Sequence, residues 1–135
     1  MKTKSGIGVV GMAAVIALIA FFFFETRATG QIRVSAPIPN AVVQSPLQVQ
    51  GAARGSWYFE ASFPVRLLDA NGMVIAEEPA TAQGDWMTDN FVPFDVELSF
   101  VTPTTDTGTL VFEKDNPSGL PQNAATLSVP VRFKR

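Results

Sequence analysis

The sequence predicts an all-β domain, an antiparallel β-sandwich of about seven strands, preceded by one N-terminal transmembrane or signal helix. Three observations carry this reading. Residues 6–24 run without a charged side chain. All ten prolines lie beyond residue 30, and glycine and proline punctuate that part of the chain in the rhythm of short strands joined by turns. Within it, apolar and polar residues alternate with period two, as they do when successive side chains leave a strand on opposite faces.

The leader comes first. At about 1.5 Å per residue, residues 6–24 reach about 28 Å, close to the ~30 Å hydrocarbon core of a bilayer. Lys2 and Lys4 precede the stretch and Glu25 and Arg27 follow it. The positive-inside rule therefore keeps the N-terminus in the cytoplasm and exports the rest. Ala28-Thr29-Gly30 is an imperfect small-x-small cleavage site, and the apolar run ends in the bulky block Phe21 to Phe24. The expected division is residues 1–30 as membrane anchor or signal segment and residues 31–135 as the exported domain. A single-pass protein of the cell membrane, domain outside, is the expected location; secretion after cleavage is the alternative.

Seven runs then qualify as strands. Ile32 and Val34 open the series, with Arg33 and Ser35 facing outward. Leu47, Val49, Gly51 and Ala53 alternate with Gln48 and Gln50. The third run puts Trp57, Phe59, Ala61, Phe63, Val65 and Leu67 on an inner face, with Tyr58, Glu60, Ser62, Pro64 and Arg66 outside. Residues 73–80 form a fourth, whose alternation fails at Glu77-Glu78-Pro79 as an edge strand's would. Val92, Phe94, Val96, Leu98 and Phe100 mark the inner face of the fifth, and residues 109–114 form the sixth. Leu127, Val129, Val131 and Phe133 close the set. Asn71-Gly72 between the third and fourth runs predicts a hairpin, because both residues tolerate the positive φ of tight turns. This strand number in about 105 residues fits a two-sheet sandwich of the immunoglobulin type, and a small OB-type barrel is the all-β alternative. With no Cys in the chain, Trp57 and the phenylalanines must fill the space a disulfide would otherwise brace.

Composition removes several function classes. A net charge of −2 and a pI near 5.0 give no basic surface for nucleic acid. The absence of Cys and His removes a thiolate nucleophile, thiolate zinc sites and the commonest general base. No Gly-x-Ser-x-Gly elbow surrounds Ser118, and no spacing of Asp85, Asp89 and Asp115 matches a calcium loop. The expectation is a protein with no cofactor, no metal and no catalytic residue.

Several blocks occur in a telling order: Ile32-Arg33-Val34-Ser35-Ala36-Pro37, Ser45-Pro46-Leu47-Gln48-Val49, Trp57-Tyr58-Phe59-Glu60, Gly84-Asp85-Trp86-Met87 and Asp115-Asn116-Pro117-Ser118-Gly119. The set resembles the Gmad2 domain, the immunoglobulin-like domain associated with bacterial spore germination proteins. The likeness extends over nearly all of residues 31–133. The first block is shared with many bacterial immunoglobulin-like domains, whereas the last three in this order are specific. The resemblance implies a bacterial, extracytoplasmic sandwich domain and no catalytic residue.

Six residues are candidates for a partner or ligand surface: Tyr58, Glu60, Asp85, Trp86, Asp115 and Asn116. Tyr58 and Glu60 are on the expected outer face of the third strand. Trp86 sits among polar residues in a loop, as contact aromatics do. Asp115 and Asn116 open a turn-rich segment that ends at Leu120. If Tyr58, Trp86 and residues 115–120 converge on the folded surface, they form a binding face for an envelope protein or glycan. A spacer that self-associates through an open sheet edge is the competing reading. A hydrolase using a carboxylate pair such as Glu60 and Asp85 is a third.

Overall fold

The computed structural model describes residues 30–135. The expected helix over residues 6–24 lies outside them, and no helix among the described residues is long and apolar enough to cross a membrane. Eight strands follow one another: β1 (Ile32–Ala36), β2 (Ala41–Val43), β3 (Leu47–Arg54), β4 (Ser62–Asp69), β5 (Val74–Ala82), β6 (Phe91–Leu98), β7 (Thr107–Glu113) and β8 (Thr126–Phe133). Hydrogen bonds join them into one curled sheet in the order β1-β3-β6-β5-β4-β7-β8-β2.

Alternation makes the core. Phe63, Val65 and Leu67 of β4, Val92, Phe94, Val96 and Leu98 of β6, and Leu127, Val129, Val131 and Phe133 of β8 are all buried on the concave side. Each such side chain contributes about 1.5–3 kcal/mol by leaving water. Aromatic rings link the layers in an unbroken series: Trp57 and Tyr58 meet Phe63 at 5.7 and 5.1 Å, Phe63 meets Phe94 at 5.1 Å, and Phe94 meets Phe112 at 5.9 Å. The first three pairs are edge-to-face, an arrangement that adds about 0.5–1.5 kcal/mol each beyond burial.

Four expectations are corrected. The strands number eight rather than seven, because Ala41-Val42-Val43 forms β2, too short to show alternation. β2 pairs in parallel with β8, so the sheet is not wholly antiparallel. The Asn40 amide, at φ 64°, donates to Pro130 O at 2.7 Å and sets that pairing. The third run does not begin at Trp57: a single 3-10 turn, Gly55–Trp57, precedes β4, which starts at Ser62. That turn breaks the period of two, so Trp57 and Tyr58 are both buried while Phe59 is 43% exposed. Finally β5 lies inside the sheet rather than at an edge. It pairs with β4 along most of its length, but with β6 only at Thr81 and Ala82, leaving the Glu77-Glu78-Pro79 stretch open on that side.

The expected hairpin joins β4 to β5. Asp69 accepts the Gly72 amide at 3.1 Å with its main-chain oxygen and the Asn71 and Met73 amides with its carboxylate. Only Gly72 in this turn adopts positive φ, at 83°, and the Asp69 amide donates to Met73 O at 2.9 Å. The turn is therefore a type I turn with a glycine bulge, not the primed two-residue form. At the seam where the curled sheet comes round on itself, Ile32 and Val34 of β1 face Leu127 and Val129 of β8 across a cleft of about 170 Å³.

Candidate functional site

The end of the sheet where the described chain begins is built around Gly55. Its amide donates to Asn90 O at 3.2 Å, and a Cβ placed on it would lie 1.9 Å from Thr88 O and 2.3 Å from Trp86 O. Only glycine lets the loop of residues 83–90 lie this close to the end of β3. The loop is braced from within, since the Asp85 carboxylate accepts the Met87 amide at 3.0 Å and the Thr88 hydroxyl accepts the Asn90 amide at 3.2 Å. Arg54 braces it from outside by donating through Nη1 to Asp89 O at 2.9 Å and through Nε to Gly30 O at 3.0 Å.

The braced loop packs Trp86 partly against the core and leaves Met87 76% exposed. Between it and the 3-10 turn runs an open groove of about 380 Å³, walled by Gly55, Ser56, Tyr58, Trp86, Met87 and Asp89. A second hollow of about 330 Å³ lies on the loop's other flank, beside Asp85, Asn90 and Phe91. An aromatic and a thioether beside hydroxyl and carboxylate groups form an adaptable contact surface, with apolar area for affinity and polar groups for orientation.

Tyr58 and Trp86 line the same groove, but residues 115–120, expected to converge with them, do not line it. Tyr58 lines it from within: it is 4% exposed, and its hydroxyl donates to Val92 O at 2.7 Å. Burial pushes its pKa up to about 12, against a smaller opposing effect of a main-chain hydrogen bond at Ala53. It is a wall of the groove rather than the exposed contact expected. Asp85 borders the neighbouring hollow, and the Asp115 amide donates to Trp57 O at 3.0 Å, which ties the 115–120 segment to the base of the same turn.

Asn116 and Glu60 do not join the site. The Asn116 side chain is occupied inside its own loop, donating to Leu120 O at 2.9 Å and accepting the Ser118 hydroxyl at 2.6 Å. Glu60 is not on a strand. With Ala61 it forms the middle of a two-residue turn at φ 51° and 67°, closed by reciprocal Phe59 and Ser62 amide-to-carbonyl bonds of 2.9 and 3.2 Å. Arg66 bridges Glu77 and Glu113 across β5 and β7. The Glu113 hydrogen bond is the main reason its pKa is raised. Among the described residues no cluster of three His, Cys, Asp or Glu side chains could hold a metal ion.

Sequence reasoning missed Arg54, Gly55 and Met87. Met87 was visible in the Gly-Asp-Trp-Met block beside the Trp86 singled out. Gly55 carried no signal beyond being a glycine at a strand end.

Comparison with protein families agrees with this architecture. Residues 31–120 match the Gmad2 family, described as the immunoglobulin-like domain of bacterial spore germination. The chain belongs to the Gmad2 family. No curated protein matches it significantly. The family match ends at residue 120, short of the residue 133 reached by the resemblance, yet β8 beyond it pairs along its length with β7 and completes this Gmad2 domain's sheet.

Proposed function

We propose that this Gmad2 domain is a non-catalytic module held at the outer face of the cell membrane by residues 6–24, and that it binds an envelope protein or glycan through the Trp86 groove. Its curled sheet then serves as an immunoglobulin-type sandwich, with the binding loops gathered at one end. One observation carries the reading: the groove joins a half-buried Trp86 and an exposed Met87 on a loop braced at Gly55 and Arg54. A rigid loop with exposed apolar side chains is what a recognition surface needs, because little ordering entropy is lost on contact. The charge-free leader with Lys2 and Lys4 before it supports export and anchoring.

The spacer reading would use an open edge: the terminal strands are β1 and the three-residue β2, and at the open stretch of β5 Glu77, Glu78 and Pro79 are the usual means of blocking edge pairing. Spore germination appears in the family's description, but shared architecture does not carry that process to this chain.

The test is photo-crosslinking in the native host, with a photoreactive residue at Met87 or, as control, at Asn71 in the distal hairpin. A discrete adduct at Met87, absent at Asn71 and lost with Trp86→Ala, is expected. Identical patterns at the two positions would overturn the groove. Intact mass tests anchoring separately: a full-length species in the membrane fraction is expected, and a species beginning near Thr29 or Gly30 in the medium would replace anchoring by secretion.

A further inference from the structure

On the convex face of β1, β3 and β6, two guanidinium groups flank one ring. Arg33 lies 4.0 Å and Arg54 4.5 Å from the Phe91 centroid. Neither belongs to an ion pair among the described residues, where Arg66 and Arg135 take the carboxylate partners. Arg33 is exposed and its side chain makes no hydrogen bond among the described residues. The acids of the adjoining loop do not neutralise the pair. Asp85 is turned onto the Met87 amide, and Asp89 meets Arg54 through its main-chain oxygen. Arg54, with Nε and Nη1 on carbonyls, keeps Nη2 as a donor; the two guanidiniums over one ring present donors to the phosphate oxygens of a lipid headgroup.

The position of this face in the chain selects the source of the phosphates. Arg54 holds Gly30, the first described residue, by its carbonyl. Residues 25–29 are all that separate Gly30 from the charge-free stretch, and fully extended they span at most about 20 Å. The polar headgroup layer alone takes up about 5–8 Å of that. A domain of this size, with a radius of gyration near ~13 Å, cannot move clear of the surface on such a tether. The attraction is short-range, because the exported domain as a whole is acidic.

Resting on the anchored reading above, we infer that the Arg33–Phe91–Arg54 face docks on the phospholipid headgroups of the chain's own membrane and lays the domain on its β1 side.

The chain has no Cys, so single-cysteine variants of the full chain each take one fluorophore. Ser35→Cys reports the β1 side, about 13 Å along the strand from Gln31, and Asn71→Cys reports the far hairpin. Both are reconstituted into vesicles of phosphatidylcholine and phosphatidylglycerol carrying a spin label on a fraction of the headgroups. Docking gives several-fold stronger quenching at Ser35→Cys than at Asn71→Cys, and Arg33→Glu brings the first down to the second. Equal quenching at both positions, or quenching indifferent to Arg33→Glu, in a protein that resists carbonate extraction overturns docking while anchoring stands. Extraction by carbonate overturns anchoring, and docking with it.

Discussion

Tyr58→Phe removes one oxygen and leaves the ring, so it separates the hydrogen bond from the packing. The hydroxyl donates to Val92 O at 2.7 Å in a site where the residue is 4% exposed. Its loss strands a buried carbonyl, at a cost of about 1–2 kcal/mol at neutral pH. The 5.1 Å contact with Phe63 survives. Alkaline pH supplies a second, independent signature. The phenol's pKa is pushed up to about 12 by burial, against 10.0 for the free side chain. Between these values the unfolded chain gives up its proton while the folded one keeps it, so ionisation favours unfolding. The contribution of the neutral phenol is whole below pH ~10 and is lost as pH rises towards ~12. At pH ~11 the loss amounts to about 1.4 kcal/mol. The assay is urea unfolding of the full chain in mild detergent, followed by the tryptophan emission of fully buried Trp57 and half-buried Trp86 together, at about pH 8 and about pH 11. Every other ionisable group is common to the two proteins, so the difference between their alkaline losses belongs to the phenol. Wild type should lose about 1.4 kcal/mol more than Tyr58→Phe between the two conditions. Tyr58 is the chain's one tyrosine, so phenolate absorbance in the folded protein should rise only near pH ~12. Equal alkaline losses in the two proteins, together with phenolate appearing near pH ~10, would refute the burial argument.

Two further substitutions address the same end of the sheet. Gly55→Ala places a Cβ 1.9 Å from Thr88 O and 2.3 Å from Trp86 O; it should cost about 1–3 kcal/mol and displace the loop, read as faster proteolysis within residues 83–90 and loss of the Met87 crosslink. Glu60→Asn combined with Ala61→Gly puts the preferred residues into a turn whose two centres stand at φ 51° and 67°. This pair should raise stability by about 1 kcal/mol and Tm by about 5 °C in a thermal scan; a lowered Tm would show that Glu60 makes a contact worth more than the strain.

Most of the strand map was legible because burial on one face imposes period two, and it failed where something other than burial set the backbone. Residues 57–61 alternate well enough to read as strand. The 3-10 turn at Gly55–Trp57 rotates the chain, so Tyr58 goes in and Phe59 comes out. Nothing in the letters Trp-Tyr-Phe-Glu-Ala announces a turn, since Glu and Ala are poor choices for positive φ. β2 was invisible for a different reason: three residues cannot display a period, and its partner β8 is far along the chain. The site was half legible. Trp86 stood out as an aromatic among polar loop residues, but the features that hold its loop, Gly55 and Arg54, act through main-chain oxygens that no side-chain pattern reveals.

The departures from local rules are not spread evenly over the fold. At the distal hairpin every choice agrees with the turn it makes: Asp69 caps its own turn and a glycine occupies the positive-φ position. At the opposite end, Glu60 and Ala61 are held at positive φ without glycine, Gly55 admits a backbone to within a Cβ's radius, and the buried Trp57 Nε1 has no hydrogen-bond partner among the described residues. Each of these costs stability, on the order of 1–3 kcal/mol for strain or a stranded donor. Close approach alone does not single out an end, since a Cβ on Gly108, opposite Asp69, would lie 2.3 Å from Leu68 O. Positive φ at Glu60 and Ala61 without glycine does, and strain of that kind kept beside the braced Trp86 loop indicates a constraint there besides folding.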